Sequence, residues 1–126
     1  MPSLEQECAR YAWENVRDVG ADTLRAYKNL AKSMPALVMT NGLMQTLAFL
    51  KGKKEEKRPE YGALLQHIVG WLRNTGVVPV KQADFASIMA WWGSPQCRTL
   101  DYQQATEQAL HVLRWIRYFA DALDQD

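Results

Sequence analysis

Apolar positions along this chain recur at intervals of three and four, not two. Leu4, Cys8, Tyr11, Ala12 and Val16 share one helical face behind Ser3, whose Ser-x-x-Gln spacing makes a capping box. Gly20 closes this first predicted helix, and Asp22 caps a second through "TLRAYKNLAKS", with Leu24, Tyr27, Leu30 and Ala31 on one face. Pro35 suits the first turn of a third helix, where its missing N–H costs nothing. In that third segment Asn41-Gly42 interrupts an apolar run, a pair that usually signals a hairpin. Its flanks do not alternate, however. Ala36, Thr40, Leu43, Leu47 and Leu50 are spaced 4, 3, 4 and 3, which predicts one helix running through the pair, with Gly42 admitting a close neighbour.

The segment "GKKEEKRPE" has no apolar residue and reads as an exposed loop. Pro59 then opens a helix that carries Tyr61, Leu64, Leu65, Ile68 and Leu72 inward and ends at Gly76. "VVPV" is an extended connector, "QADFASIMAWW" a helix stopped by "GSP", and a long last helix follows a cap at Thr99 or Asp101. Tyr102, Ala105, Ala109, Val112, Ile116, Phe119 or Ala120, and Leu123 form its apolar stripe. No strand pattern is present. The expectation is an all-α single domain over residues 1–126, a compact bundle of five to six helices.

Composition bounds this picture without changing it. With 126 residues the chain is long enough for one core. No apolar run reaches the ~18 residues a membrane span needs, and the start of the chain lacks a signal-peptide pattern, so the expected location is the cytoplasm. Cys8 and Cys97 match no metal or redox spacing and are expected to be free thiols. Charge does add something. Residues 25–58 hold eight basic and two acidic groups, while residues 1–24 hold two basic and five acidic ones. Arg25, Lys28 and Lys32 recur at three and four along one helix face. Lys51 precedes the loop, and Lys53, Lys54, Lys57 and Arg58 crowd it. Cations of this kind suit a phosphate backbone, which needs charge but little geometry; a solvated charged face is the plainer alternative.

Catalytic chemistry finds little support. No phosphate-binding glycine loop precedes a helix, and neither His67 nor His111 is followed at i+4 by a ligand residue. His67 is expected beside the core and His111 on the surface. The paired carboxylates Glu55-Glu56 and Asp124 with Asp126 lie in exposed sequence, where nothing raises their pKa. The expectation is a non-enzyme with no metal, cofactor or small-molecule substrate. Asn41 and Gln45 place two amides on one face, for a buried pair or a partner contact. Adjacent Trp91 and Trp92 point about 100° apart, so one packs inside and the other sits at the edge as an interface residue.

Residues 27–53, "YKNLAKSMPALVMTNGLMQTLAFLKGK", resemble the signature of the small α-helical subunit of type III-B CRISPR effector (Cmr) complexes. The likeness rests on Tyr27, Lys28, Lys32, Pro35, Thr40 to Gly42, and Gln45 to Leu50. "YGALLQHIVGWL" and the terminal "ATEQALHVLRWIRYFADAL" are similar to the helices that follow in that family. The resemblance implies a helical bundle without catalytic activity, acting in antiviral defence. It implies that copies stack as an inner filament beside RAMP-type backbone subunits carrying the CRISPR RNA. It further implies contact with the large polymerase-like subunit and a place along the channel where target RNA pairs with the guide. The element around Pro35, Asn41, Gly42 and Gln45 would then be structural or a subunit contact, and the basic stripe would face RNA. Two other classes stay open: a free-standing helical DNA-binding regulator, and a helical adaptor without a nucleic-acid role. The regulator suffers from its Val-Val-Pro connector and from a second helix that offers Phe85, Ile88, Met89 and two tryptophans where base-reading polar groups belong.

Overall fold

Ser3 begins the chain's first helix as its spacing predicts: its hydroxyl accepts the Gln6 N–H at 3.1 Å, and the Gln6 side chain accepts the Ser3 N–H at 2.7 Å. The computed structural model describes residues 1–53 and 57–124. Across them run six helices: α1 (Leu4–Arg17), α2 (Ala21–Asn41), α3 (Leu43–Lys53), α4 (Pro59–Thr75), α5 (Phe85–Trp92) and α6 (Thr99–Leu123). There is no strand among the described residues. The predicted inward stripes of α4 and α6 form the core, with Leu64, Leu65, Ile68 and Leu72 meeting Ala105, Ala109, Val112, Ile116 and Ala120; Tyr61 is half-buried beside them. Leu4 and Leu123, at the chain's two ends, are exposed.

Four expectations need correction. Pro35 does not open a helix but lies inside α2. An internal proline forfeits a backbone bond and costs ~3 kcal/mol or more. The stripe Tyr27, Leu30, Ala31, Met34 and Val38 is buried on both sides of it, and that burial outweighs the loss. Second, the helix does not run through Asn41-Gly42. Gly42 has φ +88° and ψ 160°, a backbone state essentially confined to glycine, so α2 stops and α3 starts in a new direction. Tyr102 of α6 supports the break. Its hydroxyl accepts the Met44 N–H at 2.9 Å, capping α3, and lies 3.6 Å from where a Gly42 side chain would begin. Thr46 Oγ1 donates to the Gly42 carbonyl at 2.9 Å. The 4-3-4-3 stripe is therefore split: Leu43, Leu47 and Leu50 are buried, while Ala36 and Thr40 face solvent.

Third, the cap of α2 is Gly20, with Asp22 inside the first turn, and the cap of α6 is Arg98. The Asp101 carboxylate reaches back to accept the Arg98 backbone N–H at 2.9 Å and its guanidinium at 3.0 Å. Fourth, His111 is half-buried, not exposed.

His67, by contrast, sits beside the core as expected, and two tyrosines converge on it. Tyr11 of α1 donates its hydroxyl to the His67 carbonyl at 2.7 Å, and Tyr27 of α2 places its hydroxyl 2.7 Å from His67 Nδ1. Gly70 makes room, because a methyl group there would collide with Tyr11 Oη. Burial pulls the His67 imidazole down to about 4 from an ordinary 6.5, and it pushes the Tyr11 and Tyr27 phenols up.

Two outcomes follow for stability. Gly42→Ala should destabilise by about 1–3 kcal/mol through backbone strain, seen as a lower urea midpoint with an unchanged slope. Because His67 has a depressed folded pKa, its contribution is complete above 6.5 and is lost as pH falls from 6.5 to about 4. The loss is at most about 3 kcal/mol. Urea titrations across that range should show it, and in His67→Gln that part of the slope should vanish.

Candidate nucleic-acid and partner interface

The basic residues singled out from sequence occupy two separate places. Arg25, Lys28 and Lys32 do form one stripe along α2, and that stripe lies against the C-terminal end of α6. Lys28 Nζ is 2.6 Å from Asp124 Oδ2, Arg25 Nε is 3.2 Å from the same oxygen, and Lys32 Nζ is 3.4 Å from Asp121 Oδ1. Hydrogen bonds from Arg25 and then Lys28 hold the Asp124 carboxyl below the usual carboxylate range. The arrangement also places cations at a helix C-terminus, where the backbone dipole favours them. The Lys28–Asp124 pair is the tightest of these, with side chains 17% and 10% exposed.

The second group gathers where α3 ends and α4 begins. Lys51 and Lys53 are half-buried in the last turn of α3. Lys57 takes a left-handed φ of 59°, and Arg58 is extended, as the residue before a proline must be. The Arg58 guanidinium lies 5.8 Å from the centre of the Tyr61 ring, which in turn packs edge-on against Phe49. Lys54, with Glu55 and Glu56, lies outside the described residues.

Asn41 and Gln45 are both exposed, on helices that Gly42 has turned apart. Trp92 is buried, edge-on to Tyr102 at 5.2 Å, and Trp91 is half-buried. Both indole nitrogens are buried without a hydrogen-bond partner. The tryptophan most open to solvent is instead Trp13, whose ring meets Phe119.

One feature escaped the sequence reading. Beyond the ion pairs, the α2–α6 seam widens into a groove of about 320 Å³, with Pro35 and Met39 on one side and Leu110, Arg114, Arg117 and Tyr118 on the other. Met39 is 73% and Tyr118 59% exposed. Arg114, Arg117 and Tyr118 are spaced three and one along α6, a cationic face that was readable in the helix pattern. The net negative charge of residues 99–126 masked it. No helix is long and apolar enough to cross a membrane, and no group of metal-ligating side chains comes together among the described residues.

Comparison with known proteins gives consistent matches. The family model described as CRISPR-associated protein (Cas_Cmr5) matches residues 4–123. The chain is 26% identical to the CRISPR system Cmr subunit Cmr5 of Thermus thermophilus, with both chains covered in full. It is 27% identical to the protein of the same name from Thermotoga maritima, over 98% of this chain and 86% of the relative.

The geometry of the seam makes one expectation concrete. Lys28→Glu should lower the melting temperature by several degrees, because it sets a carboxylate against Asp124. Adding Asp124→Lys should recover much of the loss. Thermal unfolding of both variants checks this.

Proposed function

We propose that this chain, which belongs to the CRISPR-associated Cmr5 family, is the small, non-catalytic subunit of a type III-B Cmr ribonucleoprotein effector complex. The observation that carries this reading is the extent of the family match. It runs from the first residue of α1 to the last of α6, so the whole bundle carries the likeness. Relatives matched over 100% and 86% of their own length bear the name of a Cmr complex subunit. In the complex the chain stacks with further copies in the inner filament, beside the RAMP-type backbone subunits and the large polymerase-like subunit. There it helps hold target RNA paired to the CRISPR RNA.

The chemistry of the buried groups supports a scaffold role. His67 is strongly altered by burial, yet its Nδ1 is engaged by Tyr27 and its ring is kept neutral for structural reasons. The Cys8 thiol is buried and pushed up to about 12, far from the range of a nucleophile at neutral pH. The regulator reading is weakened further by α5. Ile88 and Trp92 of the would-be reading helix are buried in the core.

The test is affinity purification of the tagged protein from its own host, with RNA and partner proteins identified. Short guide RNAs with a common 5′ sequence, together with several repeat-family subunits, are the expected yield. Recovery of the chain by itself, without RNA or partners, would refute the assignment.

A further inference from the structure

We infer that single-stranded RNA is contacted by the groove face of α6, through Arg114, Arg117 and Tyr118, and not by the α2 basic stripe. This rests on the proposed place of the chain beside an RNA channel, and it names the residues that meet the strand.

Charge is answered differently at the two ends of one seam. α2 and α6 run antiparallel, with Arg25 and Lys28 opposite Asp124, Lys32 opposite Asp121, and Gly42 opposite Tyr102. At the first end the cations belong to α2; Arg25 and Lys28 share Asp124 at the C-terminal cap of α6, and Lys32 meets Asp121. A phosphate arriving there must displace an intramolecular anion, including one at the well-enclosed Lys28–Asp124 pair. Such a replacement exchanges one ion pair for another and gains little.

Further along the seam the pattern reverses. Here the cations are on α6, and α2 faces them with Pro35 and Met39, which carry no charge. Among the described residues, no carboxylate lies within ion-pair distance of Arg114 or Arg117. Both side chains are exposed. The groove therefore has an apolar floor and a wholly cationic rim, which selects an anionic occupant. Tyr118 decides the class of anion. Its ring is 59% exposed and four residues from Arg114, one helical turn on, and it lines the same groove as both arginines. Guanidiniums beside an open aromatic ring suit a single strand, with phosphates on the cations and an unpaired base stacked on the ring. The exposed Met39 adds a soft apolar surface for the same base.

The experiment titrates the full chain with fluorescein-labelled oligouridylate over a series of salt concentrations. It compares wild type with Arg114→Gln/Arg117→Gln, Tyr118→Leu, and Arg25→Gln/Lys32→Gln, after circular dichroism confirms that each is folded. The Arg114/Arg117 variant should bind about ten-fold more weakly at low salt. Its plot of log affinity against log salt should be shallower by about 1.4, at ~0.7 per phosphate contact. Tyr118→Leu should lose about five-fold or more while keeping the wild-type slope. Arg25→Gln/Lys32→Gln should bind as wild type does.

Wild-type affinity and slope in the Arg114/Arg117 variant would overturn the inference, as would a wild-type chain that binds no RNA at low salt. The same variant is purified from the host. If it keeps RNA binding but loses its protein partners, the face is a protein interface and the inference falls while the subunit assignment stands. If tagged wild type brings down no partners but the arginine dependence holds, the RNA face survives and the assignment fails.

Discussion

Three helices of this bundle are tied together at His67. Its backbone carbonyl receives the Tyr11 hydroxyl from α1, and its ring nitrogen meets the Tyr27 hydroxyl from α2. A buried phenol or imidazole without a partner is costly, so the three groups stabilise the fold only as a set. Gly70 completes the arrangement, since any side chain there would drive Tyr11 off the α4 backbone. One turn further on, Trp71 stacks at a tilt on Tyr11 and donates its indole N–H to Gln108 of α6 at 3.1 Å, so the same region of α4 reaches a fourth helix. The angle at which α1 and α2 leave α4 follows from these contacts, and with it the line along which α2 meets α6.

That line organises the surface. Where α2 carries cations, α6 supplies carboxylates; where α6 carries cations, α2 supplies proline and methionine. A chain of almost neutral net charge thus keeps a local cationic face without self-repulsion over the whole molecule. The buried polar groups hold structure and the exposed ones are available to partners. This division suits the non-catalytic subunit role proposed above.

The Gly42 break serves the same surface. If α2 and α3 were one straight helix, Leu43, Leu47 and Leu50 would leave the core, and Tyr102 would lose the N–H it caps. By turning the chain there, the glycine buries α3 and leaves Met39 and Thr40 outside at the end of α2.

The sequence alone determined what depends on local pattern. Capping at Ser3, the proline start of α4, the glycine stop at Gly76 and the stripes of α4 and α6 all follow from periodicity and from the backbone preferences of single residues. The family likeness was also legible, because it is carried by a contiguous run of side chains. Tertiary structure decided everything that needs two segments at once. Pro35 stays in a helix because distant apolar surface stabilises α2, and Gly42 breaks one because Tyr102, sixty residues on, caps the new start. The basic stripe was visible in the sequence, but not the carboxylates that answer it, since Arg25 and Asp124 lie 99 residues apart. A charge's partner is set by folding, and pattern within one helix does not carry that information.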